Sequence, residues 1–125
     1  MGRIRRFEDI EAWQDARALT NRIYRCCRDS GLSRDFGLKD QVQRASVSVM
    51  ANIAEGFGRQ RNTEFIQYLR LAAGSCAETL SHLYIARDNE LISQEDFDTL
   101  QALALKTSRK ISAFRRYLTQ LNKNQ

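Results

Sequence analysis

Few side chains in this sequence have the types and spacing that catalysis requires. The chain of 125 residues contains one histidine, His82, and three cysteines, Cys26, Cys27 and Cys76. A di-iron site in a helix bundle uses two Glu-x-x-His pairs, whereas His82 follows Glu78 by four residues and there is no second histidine. Nucleophilic catalysis by serine or cysteine needs a base, for which His82 is the sole conventional candidate. The sequence therefore predicts a protein without enzymatic activity, and an ordinary Glu78–His82 pair on one helix face.

The cysteines are not spaced as metal ligands or as a redox pair. Cys26 and Cys27 are adjacent, Cys76 lies on another predicted helix, and no Cys-x-x-Cys or Cys/His ligand spacing occurs. No phosphate-binding loop, dinucleotide fingerprint or metalloprotease motif is present either. We therefore expect three small buried hydrophobic residues, no metal and no cofactor.

Basic residues are more informative. Lys and Arg outnumber Asp and Glu by 20 to 15, and sixteen of the bases are arginine, whose planar fork suits phosphate. This balance favours an acidic partner such as RNA or DNA. We predict that nine bases contact the nucleic acid, and they come from a stripe on the first helix, from one loop and from the last helix. They are Arg22, Arg25, Arg28, Arg59, Arg61, Lys106, Arg109, Lys110 and Arg116. The stripe on the first helix also includes Arg17.

The charges are unevenly distributed along the chain. Residues 106–125 carry six bases and no acid, whereas residues 88–98 carry five acids and no base. Arg59 and Arg61 precede the third predicted helix, whose free N–H groups favour an anion. Because aromatic residues do not alternate with the bases, contact with the phosphate backbone is favoured over base readout. The alternative interpretation is a solvated face whose bases stabilise a helix C-terminus.

Four amphipathic patterns must position these side chains, and no proline interrupts them. Apolar residues recur at spacings of three and four over about 8–29, 36–55, 63–89 and 93–121. The breaks between these patterns are so short that successive helices must fold back on one another. The predicted fold is all-α, an antiparallel up-and-down four-helix bundle that forms a single domain over residues 1–125.

Each pattern defines an apolar face that we expect to form the core. In the first two helices these residues are Ala12, Trp13, Ala16, Leu19, Ile23, Tyr24, Cys27, Leu38, Val42, Ala45, Val49 and Ile53. In the last two they are Phe65, Leu69, Ala72, Ala73, Cys76, Leu80, Leu83, Tyr84, Phe97, Leu100, Leu103, Ala104, Thr107, Ile111, Phe114, Leu118 and Leu121. The small residues 72–75 indicate either close approach of a neighbouring helix or a loosened point, since glycine costs a helix roughly 1 kcal/mol relative to alanine.

Helix ends also have recognisable signals. Gly31 is a candidate left-handed cap for the first helix. Residues 56–58, Gly-Phe-Gly, predict a tight reversal after the second. We expect Asn62 or Thr63 to cap the third helix and Ser93 the fourth.

Targeting and membrane signals are lacking in the sequence. No segment approaches the roughly eighteen consecutive apolar residues of a membrane-spanning helix. The first charged residues have no apolar segment behind them, which argues against a signal peptide. Together with the cysteine pattern, this predicts a cytoplasmic protein without a membrane partner.

Two segments of the chain resemble a known family. Residues 7–14 read Phe-Glu-Asp-Ile-Glu-Ala-Trp-Gln, and residues 51–59 read Ala-Asn-Ile-Ala-Glu-Gly-Phe-Gly-Arg. Glu64-Phe65, Leu69, Gly74-Ser75 and Glu78 follow. From about Phe7 to Leu118 the chain resembles the bacterial four-helix-bundle proteins encoded in intervening sequences of 23S ribosomal RNA genes.

This resemblance implies a homo-oligomer, expected to be a pentamer, with no established catalytic residues. It also implies likeness in fold to the accessory variability protein of diversity-generating retroelements, a basic ring-forming bundle that binds nucleic acid and a reverse transcriptase. Many relatives have proline where this chain has Met50, so we expect a straighter second helix here.

Eight residues match the motif of this family: Asn52, Glu55, Gly56, Gly58, Arg59, Gly74, Ser75 and Glu78. Two roles are open for them. In the structural role, Asn52 and Glu55 tie down the glycine turn and pair with Arg59. In the other, these residues contact a partner or nucleic acid.

The sequence thus predicts a non-enzymatic homo-oligomeric bundle that binds the backbone of RNA or DNA through an arginine-rich surface. The alternative is a protein-interaction module or assembly scaffold, for example an accessory to a reverse transcriptase, without direct nucleic-acid binding. Four residues off the main apolar faces are its candidate contacts: Tyr68, Leu71, Leu105 and Tyr117.

Overall fold

Apolar periodicity produces four long helices. The computed structural model describes residues 4–124, and within them the chain forms α1 (Glu11–Asp29), α2 (Phe36–Gly58), α3 (Asn62–Asp88) and α4 (Gln94–Lys123). Short 3-10 helices lie at Phe7–Asp9 and Gly31–Arg34. The predicted all-α four-helix bundle is confirmed, and α2 runs through Met50 without interruption. Within the described range, none of the helices combines the length and apolar character needed to cross a membrane.

The helices pack in ring order, each against the next, and α4 closes the ring against α1. Lys110 of α4 bonds to Glu11 at the start of α1, whereas Asp96 near the start of α4 lies beside Cys26 near the end of α1. α1 and α4 are therefore antiparallel, and so are α2 and α3, since Ser48 bonds to Ser75 whereas Gly56 lies against Tyr68. The start of α1, the turn between α2 and α3, and the end of α4 share one end of the bundle, called here the α2–α3 end.

The predicted apolar faces form the core between the four helices. Their residues are buried or half-buried, with two exceptions. Tyr24 and Tyr84 are 39% and 38% exposed, so their assignment to the core was wrong. Both lie at the edge of an apolar face, where the phenol ring packs against the bundle while the hydroxyl reaches outward. The hydroxyl of Tyr84 accepts a hydrogen bond from Gln101 at 3.1 Å.

The predicted glycine turn after α2 is wrong. Residues 56–58 are helical, and the chain reverses at residues 59–61, where Gln60 has a φ of 63°. Neither Gly56 nor Gly58 has a positive φ. Gly56 serves packing instead, because a Cβ added there would lie 2.6 Å from the Cβ of Tyr68 on α3.

Two other helix starts differ from the prediction. The first α-helix begins at Glu11 and not near residue 8, because Phe7–Asp9 form a separate 3-10 turn. The N-cap of α3 is Arg61, whose side chain makes no capping bond, and neither Asn62 nor Thr63 takes that position. The last helix also extends past residue 121, to Lys123.

Of the other two predicted helix caps, Gly31 is wrong and Ser93 is confirmed. Gly31 is not a left-handed cap, since no described glycine has a positive φ. Ser30 is extended, and its hydroxyl accepts the N–H of Leu32 to start the second 3-10 helix. Ser93 caps α4 as predicted, accepting the N–H of Asp96 at 3.0 Å.

Candidate nucleic-acid interface

Two of the nine predicted contact bases are held by acids of α1. The Nζ of Lys110 lies 2.8 Å from Glu11 Oε1 and 3.4 Å from Asp15 Oδ2, and the Nζ of Lys106 lies 3.6 Å from Asp15 Oδ1. The hydrogen bond between Lys110 and Glu11 raises the pKa of the lysine and lowers the pKa of the carboxyl. These contacts close the α1–α4 seam, and they balance the charges of both lysines within the chain.

Arg59 is also bound within the chain. Its Nη2 lies 3.2 Å from Glu55 Oε1 and donates to the Tyr68 hydroxyl at 2.7 Å. That hydroxyl donates in turn to Glu55 Oε1 at 3.3 Å, and the hydrogen bond that Arg59 donates to Glu55 raises the pKa of Arg59. The expected pairing of Glu55 with Arg59 is present, and through Tyr68 it links α2 to α3.

Asn52 does not tie down the α2–α3 turn, contrary to expectation. Its amide donates to the carbonyl oxygen and to Oγ of Ser48, at 2.8 and 3.0 Å, because residues four apart share a helix face. The Oγ atoms of Ser48 and Ser75 are 2.8 Å apart, so Asn52 supports a hydroxyl bridge between α2 and α3. Further along α3, the predicted Glu78–His82 pair is confirmed at 3.1 Å.

The α2–α3 seam collects most of the residues that match the family motif: Asn52, Glu55, Gly56, Arg59 and Ser75. Gly58 and Gly74 differ, since both are helical and exposed and an added Cβ would meet nothing within 4 Å. The close approach predicted for residues 72–75 therefore involves Ala72, which is fully buried, and Ser75, but not Gly74.

The arginines of α1 have a different environment. Arg17, Arg22, Arg25 and Arg28, called here the α1 arginine stripe, are exposed, and none forms an ion pair with a carboxylate in residues 4–124. No acid lies between Ala16 and Arg28. The guanidinium of Arg17 lies 5.7 Å from the centroid of the Trp13 ring. At 1.5 Å per residue the stripe is about 16 Å long.

Arg109 and Arg116 form a second exposed set on α4. They are seven residues apart, so they lie on one face about 10 Å from each other. Neither is ion-paired within the described part of the chain, and α4 has no acid after Asp98. Arg61 is exposed and similarly unpaired there, but it lies at the α2–α3 end.

The nine bases are thus divided among separate environments. Three are paired within the chain, three belong to the α1 arginine stripe, two lie on the outside of α4 and one lies at the α2–α3 end. Arg17 was absent from the predicted contacts, although it follows the same helix face as Arg28, three turns away. Arg5, exposed beside the α2–α3 end, was also missed, and no sequence signal relates it to Arg61.

The three cysteines are free and buried, as predicted. Burial raises the pKa of Cys26 and of Cys76 to about 11, and it also raises the pKa of Cys27. Thiols with such pKa values are almost fully protonated near neutral pH, so none is activated as a nucleophile. Over residues 4–124, no three His, Cys, Asp or Glu side chains are grouped in a way that could hold a metal ion.

The sequence matches the model of a known protein family, and the fold is similar to that of a solved crystal structure. A family model described as 23S rRNA-intervening sequence protein matches residues 8–113. A crystal structure from Bacteroides thetaiotaomicron, described as a protein with unknown function from the S23 ribosomal protein family, has a TM-score of 0.76 and 19% sequence identity. The similarity covers 83% of this chain and 97% of that chain, and at this identity it concerns the fold alone. Curated proteins give no match.

Proposed function

Since the chain belongs to the 23S rRNA intervening-sequence protein family, we propose that it is a non-enzymatic bundle that binds the backbone of RNA or DNA. The α1 arginine stripe is the proposed contact surface. Its support is one observation: the four arginines are exposed without a carboxylate partner in the described chain, whereas Arg59, Lys106 and Lys110 are bound internally.

Arginine is the residue best suited to this task. Its planar guanidinium donates two parallel hydrogen bonds to one phosphate, and it is always charged. Four such groups over about 16 Å of one helix can follow several successive phosphates of a strand. Arg109 and Arg116 are two further exposed cations on the neighbouring helix α4. Binding of this kind depends strongly on salt and weakly on base sequence.

We expect the double substitution Arg25→Gln and Arg28→Gln to weaken binding to RNA. Each lost phosphate contact removes about 0.7 from the slope of log K against log salt concentration for a single strand, so the slope should fall by about 1.4. Fluorescence anisotropy with a labelled single-stranded RNA of mixed sequence, repeated from low to high salt, measures both affinity and slope. The same measurement with a DNA of the same sequence shows whether the affinity depends on the 2′-hydroxyl of the sugar.

The matched control is Arg44→Gln with Arg70→Gln, which removes the same charge from α2 and α3. Arg44 already pairs with Asp40 at 2.9 Å, so this variant should retain the wild-type slope. An equal loss in both variants would mean that only net charge matters. An equal loss of this kind would contradict the proposed surface. So would a lack of RNA binding at low salt, or an affinity that does not change with salt concentration.

We further propose that the protein is a homo-oligomer, a pentamer by resemblance to its family. Exposed apolar side chains on the outer surface, such as Leu71 at 57% exposure, support association between copies. The expected mass in solution is five times the 14.5 kDa of one chain, and light scattering with and without RNA measures it. A monomer in both conditions would contradict this assembly.

A protein-interaction role, such as an accessory to a reverse transcriptase, is the second candidate. Phe36 favours it, since this ring is 73% exposed at the start of α2, with the ammonium of Lys39 4.8 Å from its centroid. Of the four predicted apolar contacts, three are exposed, but Tyr68 is half-buried against Arg59. In this role the Arg25 and Arg28 variant would retain its protein partner, and the wild type would bind no nucleic acid.

A further inference from the structure

A cleft of about 590 Å³ opens at the α2–α3 end of the bundle. Three segments that are distant in the chain form its walls: residues 4 and 5, residues 57–65, and residues 114–118. Its volume is within the range of about 300–1,000 Å³ that is typical of small-molecule sites. The α1 arginine stripe begins at Arg17 and runs away from this end, so the cleft is a separate feature.

Aromatic rings form the floor of the cleft. The ring centroids of Phe65 and Phe114 are 5.3 Å apart, those of Phe57 and Phe65 are 6.1 Å apart, and those of Phe114 and Tyr117 are 6.2 Å apart. Phe65 and Phe114 are buried, whereas Phe57 is half-buried and Tyr117 is 40% exposed, so these two form the accessible part of the cluster. The rings are inclined to one another by 49° to 73°, and the exposed Tyr117 offers a ring on which a flat ligand can stack.

The rim of the cleft is positively charged. Arg5 and Arg61 line it, both are exposed, and neither forms an ion pair with a carboxylate elsewhere in residues 4–124. Glu64, the acid in the first turn of α3, is not among the lining residues. Two arginine forks at the edge of an aromatic floor favour a ligand with a phosphate group attached to a flat ring.

We propose that this cleft binds a nucleoside phosphate, with the base on the aromatic floor and the phosphate between Arg5 and Arg61. The aromatic floor by itself would accept many flat apolar molecules, and the rim by itself would accept many anions. Only a ligand with both parts uses both features. The same chemistry occurs in a free mononucleotide and in the phosphorylated terminal nucleotide of a strand.

The test is calorimetric titration of the full chain with AMP, adenosine and inorganic phosphate. We expect saturable binding of AMP, with adenosine and phosphate each at least tenfold weaker. Arg5→Gln with Arg61→Gln should reduce AMP affinity at least tenfold, and Tyr117→Leu should reduce it with little effect on the weak phosphate binding. All three residues are exposed, and circular dichroism checks that the helices are intact. The control, Arg44→Gln with Arg70→Gln, should bind AMP as the wild type does.

Two oligonucleotides that differ only in a 5′-phosphate distinguish the two sources. A tenfold preference for the phosphorylated strand, lost in the Arg5 and Arg61 variant, identifies a strand end as the ligand. AMP binding without such a preference identifies a free mononucleotide. If AMP does not bind, or if its affinity is the same in the Arg5 and Arg61 variant, the proposed site is wrong. Neither result depends on the α1 arginine stripe, whose own variant is measured separately.

Discussion

Replacing Gly56 with alanine is expected to destabilise the bundle by about 2 kcal/mol, although alanine is the better helix former. The added Cβ would lie 2.6 Å from the Cβ of Tyr68 and 2.8 Å from Cδ1 of Phe65. A Cβ is attached directly to the backbone, so Tyr68 cannot move aside unless α3 moves as well. The cost of separating α2 from α3 then exceeds the gain in helix propensity, which is about 1 kcal/mol.

Two other helical glycines provide matched controls. Gly58 lies two residues later in α2, and Gly74 lies in the middle of α3; a Cβ at either position would meet nothing within 4 Å. Gly74→Ala should therefore stabilise the protein by about 1 kcal/mol, and Gly58→Ala, at the helix end, by less. Urea denaturation gives the free energy of unfolding for all three variants. If Gly56→Ala were as stable as the other two, α2 and α3 would not be in the close contact described here.

Ionisation of two buried thiols, Cys26 and Cys76, is expected to destabilise the protein by about 4 kcal/mol between pH 9 and 11. An ordinary thiol has a pKa of 9.0, whereas burial raises the pKa of Cys26 and of Cys76 to about 11; the carboxylate of Asp96 adds to the shift at Cys26. Below pH 9 each thiol is protonated in both states and contributes nothing. Between the two pKa values mainly the unfolded state releases the proton, which favours unfolding by up to about 1.4 kcal/mol per pH unit for each thiol.

The variant with Cys26→Ala and Cys76→Ala isolates this effect. It should be less stable than the wild type at pH 7, because each substitution leaves a small cavity, and the Cys76 variant also loses the bond from Sγ to the carbonyl oxygen of Ala104. Its free energy of unfolding should then fall much less between pH 9 and 11. Tyrosine and lysine titrations are common to both proteins and cancel in the comparison. If the free energy of unfolding fell equally with pH in the two proteins, the buried thiols would be excluded as the cause of the alkaline destabilisation.

Local interactions were predicted correctly because helix geometry alone sets them. Residues four apart lie one above the other on a helix, which places Glu55 beside Arg59 and Glu78 beside His82 whatever the rest of the fold does. The Ser93 cap is equally local, since the hydroxyl bonds to an N–H three residues later.

The errors at helix ends have a different origin. Glycine was expected to mark the reversals, but left-handed backbone occurs at Gln60 and Glu90 instead, with φ of 63° and 58°. After α3 the N–H of Leu91 bonds to the carbonyl oxygen of Ala86 at 2.8 Å, an arrangement that usually has glycine at the position of Glu90. Both residues are exposed, and local backbone hydrogen bonds accompany a conformation that their own preferences disfavour: the N–H of Gln60 bonds to the carbonyl oxygen of Phe57 and that of Glu90 to the carbonyl oxygen of Arg87.

By itself, the sequence determined the all-α fold, the four helices, most of the core and the excess of arginine. Only the tertiary structure decided which bases are paired within the chain and which are exposed. Lys110 and Glu11 are 99 residues apart, and the cleft combines residues from both ends of the chain with the α2–α3 turn. Contacts across helices depend on the rotation and axial register of each helix, which arise from packing of the whole core. Periodicity shows which face of a helix is buried, but it does not show which residue of another helix lies opposite.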